Sequence, residues 1–240
     1  MLEKNPNTAD LDGDRSVDPR QLVPAAPPRG ALEAGVILLL AAFVMGLLLR
    51  GGGRPFFQEL DERLTAGAAG SARGPVMGLA LFLDKIGGPI GLVIPLAVTG
   101  CLGIYGRWRS ALFFFATSVL ANLVIVLPLK GFVGRARPPH PWVLVSDGSF
   151  PSGQVFMMTA LLVAMGVVFL RPRARLWGWF AVGLFVALMM WSRVWLHAQW
   201  LSDTVAGAMA GAGSGLVLWR AFAGLLRREA ERLAADRLWD

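Results

Sequence analysis

The sequence is poor in charge. Asp, Glu, Lys and Arg make up 16% of its 240 residues, whereas a soluble domain carries about a quarter. Hydrophobic residues make up 55%, and the charges cluster between long apolar blocks. Helices at the surface of a soluble bundle need polar faces toward water, and a chain with six such apolar blocks has too few polar residues to form them. The sequence therefore excludes an ordinary soluble domain and favours the lipid bilayer as the solvent.

Other scarcities exclude further classes of function. Cys101 is the single cysteine and lies inside an apolar block, so a disulfide framework and a CxxC metal site are excluded. The ligand-type residues lack zinc spacing, and we expect no metal or other cofactor. The net charge of +7 does not indicate nucleic-acid binding, because no soluble segment has a basic face interleaved with aromatic residues.

The long apolar blocks predict the fold class. Residues 31–49 form the first predicted span. In the segment that follows, Phe56, Leu60 and Leu64 recur at helical spacing with charges between them, which is typical of a helix in the membrane interface. Further spans, each near the length that crosses hydrocarbon, are predicted at 88–105, 110–129, 154–170, 174–192 and 203–222. We therefore predict an all-α integral membrane bundle of six helices, with an interfacial amphipathic helix after the first span.

Composition divides the chain into three parts. Residues 1–30 are rich in Pro, Asp, Asn and Arg and lack an early apolar core. This predicts a disordered cytoplasmic tail and not a signal peptide. Residues 31–222 form the predicted membrane domain, and residues 223–240 a basic cytoplasmic C-terminal helix or tail.

Arginines in the short loops predict the orientation. With an even number of spans, the loops after the second and fourth spans lie on the same side as both termini. That side carries Arg107, Arg109, Arg171, Arg173, Arg175, Arg220, Arg227, Arg228, Arg232 and Arg237. We expect a multi-pass protein of the cell (inner) membrane with cytoplasmic termini. The extracytoplasmic side carries Arg50, Arg54, Arg63 and Arg73, which Glu59, Asp61 and Glu62 offset. It also carries Lys130, Arg135, Arg137 and Arg193, so the asymmetry is moderate.

Three segments on the extracytoplasmic side carry polar groups that are costly in a bilayer. They are "KGFVGRARP" at 130–138, "FPSGQ" at 150–154 and "SRVWLHAQWLSD" at 192–203. Taken singly, Lys130 and Arg193 fit snorkelling residues at helix ends. Together with Arg137 they supply three cations, while Ser152 and Gly153 at a helix start supply a hydroxyl and free N–H groups. Arginine binds two phosphate oxygens at once, so the three segments predict an anion site.

The order and spacing of these segments resemble the type 2 phosphatidic acid phosphatase superfamily, the six-span lipid phosphatases related to glucose-6-phosphatase and the vanadium haloperoxidases. The family signature reads K-x6-R-P, P-S-G-H and S-R-x5-H-x3-D. Lys130 to Arg137 and the following proline match the first part. The second part matches except at Gln154, and the third, which ends at Asp203, matches except at Gln199. The resemblance covers about residues 31–222.

The resemblance implies a role for each matching position. In the family, the histidine of the third motif attacks phosphorus to form a phosphohistidine and is oriented by the aspartate one helical turn later. The histidine of the second motif protonates the leaving alcohol, and no metal takes part. By position, Asp203 is the orienting residue, and Gln199 and Gln154 stand at the nucleophile and general-acid positions. The implied phosphate-binding residues are Lys130, Arg137, Ser152, Gly153 and Arg193.

Glutamine at both histidine positions removes the reactive groups. Its amide is neutral and cannot donate a proton as an acid, although it can still hydrogen-bond Asp203 or a phosphate oxygen. General acid catalysis alone contributes about 10² to 10⁴-fold, so we expect strongly impaired turnover. Electrostatic stabilisation of hydrolysis by water persists.

The two histidines of the chain are not expected to replace the missing ones. On a helix through residues 192–203, His197 and position 199 differ by about 200° and lie on opposite faces. His140 follows the first motif between prolines that hold it extended, and we interpret it as a solvated loop histidine.

The sequence leaves several hypotheses open, and it does not decide whether the protein is an active enzyme. The chain is an integral-membrane phosphatase for a lipid phosphate or diphosphate, an engineered inactive form of one, or a non-catalytic pseudo-phosphatase that binds phospholipid headgroups. A weaker hypothesis, a packing partner in a membrane assembly, rests on the small-xxx-small series Gly207, Gly211 and Gly215. Such a series more often packs helices within one bundle. The identity of the lipid and the oligomeric state stay open.

Overall fold

The computed structural model describes residues 26–67, 74–145, 148–170 and 174–236. In these residues nine α-helices follow in the order α1 (Ala31–Leu49), α2 (Gln58–Gly67), α3 (Pro75–Gly87), α4 (Pro89–Ile104), α5 (Trp108–Phe115), α6 (Leu127–Val133), α7 (Gly153–Phe169), α8 (Arg175–Trp195) and α9 (Leu201–Asp236). Residues 1–25 of the predicted tail, residues 237–240, and Arg171 and Arg173 lie outside the described residues.

Four helical stretches are long and apolar enough to cross a membrane, namely Ala31–Gly52, Trp108–Val133, Arg175–Trp195 and Leu201–Asp236. Helices α3 and α4 pass the same test as a pair bent by 47°. Helix α7 is apolar but has only 17 residues. The predicted all-α membrane fold is confirmed. The count of six spans stays a prediction, because four or five stretches in the described chain meet the criteria of length and composition.

The last helix extends well beyond the predicted sixth span. α9 continues without a break from Leu201 to Asp236. Its polar end carries the ion pairs Arg227–Glu231 and Arg232–Asp236 at i,i+4 spacing, which suits an exposed helix. The basic C-terminal segment that the sequence left as helix or tail is therefore helical as far as residue 236.

Glycines bring α9 into close contact with α7. A Cβ at Gly207 would lie 2.5 Å from the carbonyl oxygen of Ser152, and a Cβ at Gly211 would lie 2.5 Å from that of Phe156. Only a residue without a side chain permits this approach. The glycine series thus packs within the bundle and holds the start of α9 against the start of α7.

Two π-helical turns join α5 to α6 and change the direction in which the following side chains point. Ala121 N–H donates to Ala116 O, and Leu127 N–H donates to Asn122 O, so both bonds span five residues. The widened turn places the Asn122 side chain 3.2 Å from Gly153 O, where Nδ2 donates a hydrogen bond. Such π-turns often occur at functional sites, and this one holds the first residue of α7.

Helix α2 turns its apolar stripe outward. Phe56, just before the helix, and Leu60 and Leu64 within it are exposed by 92%, 51% and 42%. Asp61, in contrast, is buried with 1% exposure. The helix expected in the interface therefore exists, but the residues that it buries against the bundle are the polar Asp61 and Thr65.

Replacing Gly211 by alanine tests the close packing. We expect Gly211→Ala to lower the free energy of unfolding by about 1–3 kcal/mol, because the added Cβ collides with the backbone of α7. Gly224→Ala on the same helix is the control, since a Cβ there meets nothing within 4 Å and alanine favours helix. Thermal unfolding in detergent, followed by circular dichroism, measures both. Equal unfolding midpoints would contradict the packing.

Candidate anion-binding site

Two cations of the first motif bind the same backbone oxygen. Lys130 lies in the last turn of α6, and its Nζ donates to Gly148 O at 2.7 Å. Arg137 Nη2 donates to this oxygen at 3.2 Å, and its Nη1 donates to Ala198 O at 2.6 Å. The chain turns toward these acceptors at Gly134, which ends α6 with a φ of 61°. The shared acceptor holds the ammonium and guanidinium groups close together.

Arg193 reaches the same region from the end of α8. It is buried with 4% exposure, and its Nε donates to Gln199 Oε1 at 3.3 Å. Its Nη1 forms an ion pair with Asp84 of α3. Gln199 Oε1 also accepts a hydrogen bond from Ser152 Oγ at 2.6 Å, while Nε2 donates to Ser149 O at 3.1 Å. The amide at position 199 therefore lies between Arg193 and Ser152.

The serine and glycine of the second motif begin α7. Ser152 is the N-cap residue, and its Oγ accepts a hydrogen bond from Val155 N–H at 3.3 Å, as N-cap serines commonly do. Its own N–H donates to Asp203 O at 3.0 Å. Gly153 is the first residue of the helix. The positive end of the α7 dipole thus lies beside Gln199, which suits an anion.

Asp203 is fully buried and accepts three hydrogen bonds. Its donors are Arg135 Nη1 at 2.5 Å, Trp200 N–H at 3.0 Å and Ser149 Oγ. Asp203 is the third residue of α9, so the bond to Trp200 N–H is the backbone half of a capping box. Ser149 binds both Asp203, through its hydroxyl, and Gln199, through its carbonyl. Position 199 precedes the helix, and Ser149 links Gln199 to Asp203.

Residues 192–203 do not form one continuous helix. Helix α8 ends at Trp195. After it, the N–H groups of Ala198 and Gln199 both donate hydrogen bonds to Arg193 O. His197 lies in this break with a φ of 51°. His197 and Gln199 therefore do not lie on opposite faces of one helix.

The two histidines lie beside the first-motif loop. His197 Nδ1 is 3.4 Å from Pro139 O. Its Nε2 is buried and has no hydrogen-bond partner in the described part of the chain. His140, the next residue after Pro139, is exposed as expected, but its positive φ of 52° shows that it is not held extended. The expectation that His197 is a neighbour of the site and not its nucleophile stays a prediction.

Gln154 faces the bend between α3 and α4. A Cβ at Gly88 would lie 3.2 Å from Gln154 Nε2. Gln154 Oε1 is buried and finds no hydrogen-bond partner among the residues that the structure describes. Asp84, which pairs with Arg193, is one turn before this bend. The α3–α4 bend therefore closes the site on the side of Gln154.

A cavity opens beside the first-motif cations. It has a volume of about 750 Å³ and lies within the size range of small-molecule sites. Its lining includes the basic residues Lys130 and Arg137, together with Gly148 and the apolar residues Leu127 and Val145. Such a lining offers both charge for an anionic group and apolar surface for an attached chain.

A family model described as the PAP2 superfamily matches residues 111–227. This part of the chain belongs to the PAP2 superfamily. The resemblance found in the sequence is thereby confirmed. The matched residues include all three motif segments, and they begin after α2, α3 and α4.

Two relatives of known description agree with the PAP2 assignment. An undecaprenyl-diphosphatase of Sulfolobus acidocaldarius is 29% identical over 141 residues, which cover 56% of this chain and 65%, less than two thirds, of the relative. The fold is also similar to the crystal structure titled the first transmembrane PAP2 type phosphatidylglycerolphosphate phosphatase from Bacillus subtilis. The TM-score is 0.61 at 20% identity, with 75% of this chain and 93% of that chain covered. The chain therefore has a membrane lipid phosphatase scaffold.

Sequence reasoning missed four residues around this PAP2 site, which are Asp61, Asp84, Arg135 and Ser149. Arg135 was counted among the charges of the extracytoplasmic side, yet it is buried and pairs with Asp203 at 2.5 Å and Asp61 at 2.8 Å. The signal that points to such residues is the cost of a charge in an apolar bundle, which requires a partner. No spacing rule identifies which partner, because the pairs join residues far apart in the chain.

Replacing Arg135 tests the buried ion pairs. Arg135→Ala leaves two buried carboxylates without their cation, and we expect the free energy of unfolding to fall by about 3–5 kcal/mol. Arg54→Ala is the control, because Arg54 pairs with Glu62 at the surface and exposed pairs contribute roughly 0–1 kcal/mol. Chemical denaturation in mixed micelles, followed by tryptophan fluorescence, measures both changes. Similar losses in the two variants would show that the Arg135 pairs are not the buried contacts described.

Proposed function

We propose that the chain binds the phosphate or diphosphate headgroup of a membrane lipid, and that it lacks efficient phosphohistidine turnover. The observation that carries the proposal is the set of contacts that joins the three cations. Gly148 O accepts from Lys130 and Arg137, and the adjacent residues Ala198 and Gln199 accept from Arg137 and Arg193. Three cations from two of the motif segments are thus held close to one position.

The donors at this position suit phosphoryl oxygens. Two guanidinium groups offer planar pairs of N–H donors, and an ammonium group adds a compact charge. Ser152 Oγ and the start of α7 add a hydroxyl and backbone N–H groups. In the PAP2 superfamily the corresponding residues bind the phosphoryl group, so we assign this role to Lys130, Arg137, Ser152, Gly153 and Arg193.

The protein's own oxygen atoms hold these donors in place. Gln199 Oε1 accepts from Arg193 and Ser152, and Asp84 pairs with Arg193. A bound phosphoryl group takes over some of these hydrogen bonds. Because it carries up to about two negative charges, it offsets the cations better than a neutral amide oxygen does.

The two glutamines account for the expected loss of turnover. The Gln199 amide is neutral and is no useful nucleophile toward phosphorus, and the Gln154 amide cannot protonate a leaving alcohol. Asp203, which in the family orients the nucleophilic histidine, retains its buried position next to Ser149. The cage for the headgroup is therefore kept, while the groups that make and break bonds to phosphorus are lost.

We further propose that the site faces the extracytoplasmic side of the cell (inner) membrane and that both termini are cytoplasmic. The distribution of arginines between the loops supports this orientation. The names of the two relatives make a polyprenyl diphosphate and phosphatidylglycerol phosphate suitable first ligands to test.

Restoring both histidines tests the assignment of positions 154 and 199. We expect little phosphate release from the unmodified protein and a clear gain from the double variant Gln154→His and Gln199→His, because nucleophile and acid are both returned. Release is measured in detergent from phosphatidic acid, phosphatidylglycerol phosphate and undecaprenyl diphosphate. Rapid release by the unmodified protein contradicts the loss of turnover. No release from either protein contradicts a phosphatase-type site.

Vanadate binding tests the cage itself. The unmodified protein should bind vanadate, a phosphate mimic, and Arg193→Ala should abolish the binding because a buried guanidinium is lost from the site. Arg228→Ala, an exposed arginine near the other end of α9, removes the same charge and should bind as the unmodified protein does. Equal binding by all three proteins would contradict the proposed role of Arg193.

A further inference from the structure

Helix α2 contributes a buried carboxylate to the support of the site. Asp61 Oδ1 accepts a hydrogen bond from Ser202 N–H at 2.9 Å. Its Oδ2 accepts from Ser202 Oγ at 2.5 Å and from Arg135 Nη2 at 2.8 Å. Asp61 lies outside the three motif segments and outside residues 111–227, which the PAP2 model matches.

Arg135 connects Asp61 to Asp203. Its Nη1 donates to Asp203 Oδ1 at 2.5 Å and to Ser202 Oγ at 2.7 Å. Its Nη2 donates to Asp61 and, at 2.7 Å, to Gln58 Oε1. Because the guanidinium is planar and rigid, one side chain fixes α2 relative to the first turn of α9.

The backbone of Arg135 extends this support to the cations. Arg135 O accepts a hydrogen bond from Ser149 N–H at 2.8 Å, and Ser149 Oγ donates to Asp203. The residue before Ser149 is Gly148, whose carbonyl oxygen binds Lys130 and Arg137. A displacement of Arg135 is therefore transmitted to the acceptors that hold the cage.

The energetics favour positioning over stability as the reason for this network. Exchange of a buried ion network for well-packed apolar residues is often neutral or stabilising. The outward stripe of α2 already supplies apolar surface for membrane contact. A carboxylate buried to 1% exposure against the bundle is a costly way to attach a helix. Its specific effect is to fix the direction of Arg135 and the place where α9 begins.

We infer that Asp61 is a positioning residue for the anion site and acts through Arg135 and Ser202. The inference rests on the proposed function, namely that this site binds a phosphoryl group. Without the carboxylate, Arg135 moves toward Asp203 alone and the Ser202 donors lose their acceptor. The segment that carries Ala198 and Gln199 then no longer holds Arg137 and Arg193 at fixed positions.

The test measures the Kd of vanadate for the full chain in detergent. Asp61→Asn keeps the shape but removes the charge, and we expect it to weaken binding by about tenfold, the scale seen in metal sites when the hydrogen-bond partner behind a ligand residue is lost. Asp61→Glu keeps the charge and should retain most of the affinity. Glu62→Gln is the matched control, because this neighbouring carboxylate pairs with Arg54 at the surface and should leave the Kd unchanged.

The pattern separates positioning from packing. A packing role predicts the reverse order, with the isosteric Asn tolerated and the larger Glu harmful.

Thermal unfolding shows whether each variant is folded. If Asp61→Asn does not fold, Ser202→Ala takes its place and should also weaken binding. The inference is overturned if Asp61→Asn or Ser202→Ala binds vanadate with normal affinity, or if Glu62→Gln loses as much affinity as Asp61→Asn. The proposed function is not affected by these results. No vanadate binding by the unmodified protein overturns the proposed function, and the inference with it.

Discussion

Positive charge buried in an apolar bundle needs oxygen atoms to accept its hydrogen bonds, and this requirement organises the site. The shared acceptor Gly148 O joins Lys130 to Arg137, and the Gln199 amide joins Arg193 to Ser152. These acceptors lie on segments between helices, where carbonyl groups are not used by helical hydrogen bonds. The same segments therefore satisfy the cations and hold them in one region.

The helices hold these segments in register. Glycines bring α9 within backbone contact of α7, so the start of one helix lies beside the start of the other. The π-helical turns place Asn122 against Gly153, and Arg135 joins α2 to α9. These three supports explain how residues from three separate motifs meet although their helices contact one another mainly through apolar side chains.

The sequence predicts the positions of the helices well, because apolar length and arginine-rich boundaries are local signals. Spacing and family resemblance single out Lys130, Arg137 and Arg193, which the structure brings to one region. Local signals fail where the chain departs from a helix. The break at His197 depends on backbone bonds to Arg193 O, which the apolar pattern of residues 192–203 does not reveal. The ion pairs of Asp61, Asp84 and Arg135 depend on tertiary contacts, so their partners could not be read from spacing.

An experimental structure of the protein with bound vanadate tests the central claim most directly. The account predicts vanadate oxygens within hydrogen-bond distance of Lys130, Arg137 and Arg193, with Ser152 as a further donor. It also predicts that Gln199 remains beside the ion and forms no bond to vanadium. Vanadate bound elsewhere on the protein, or cations that face away from a common ligand, would contradict the account.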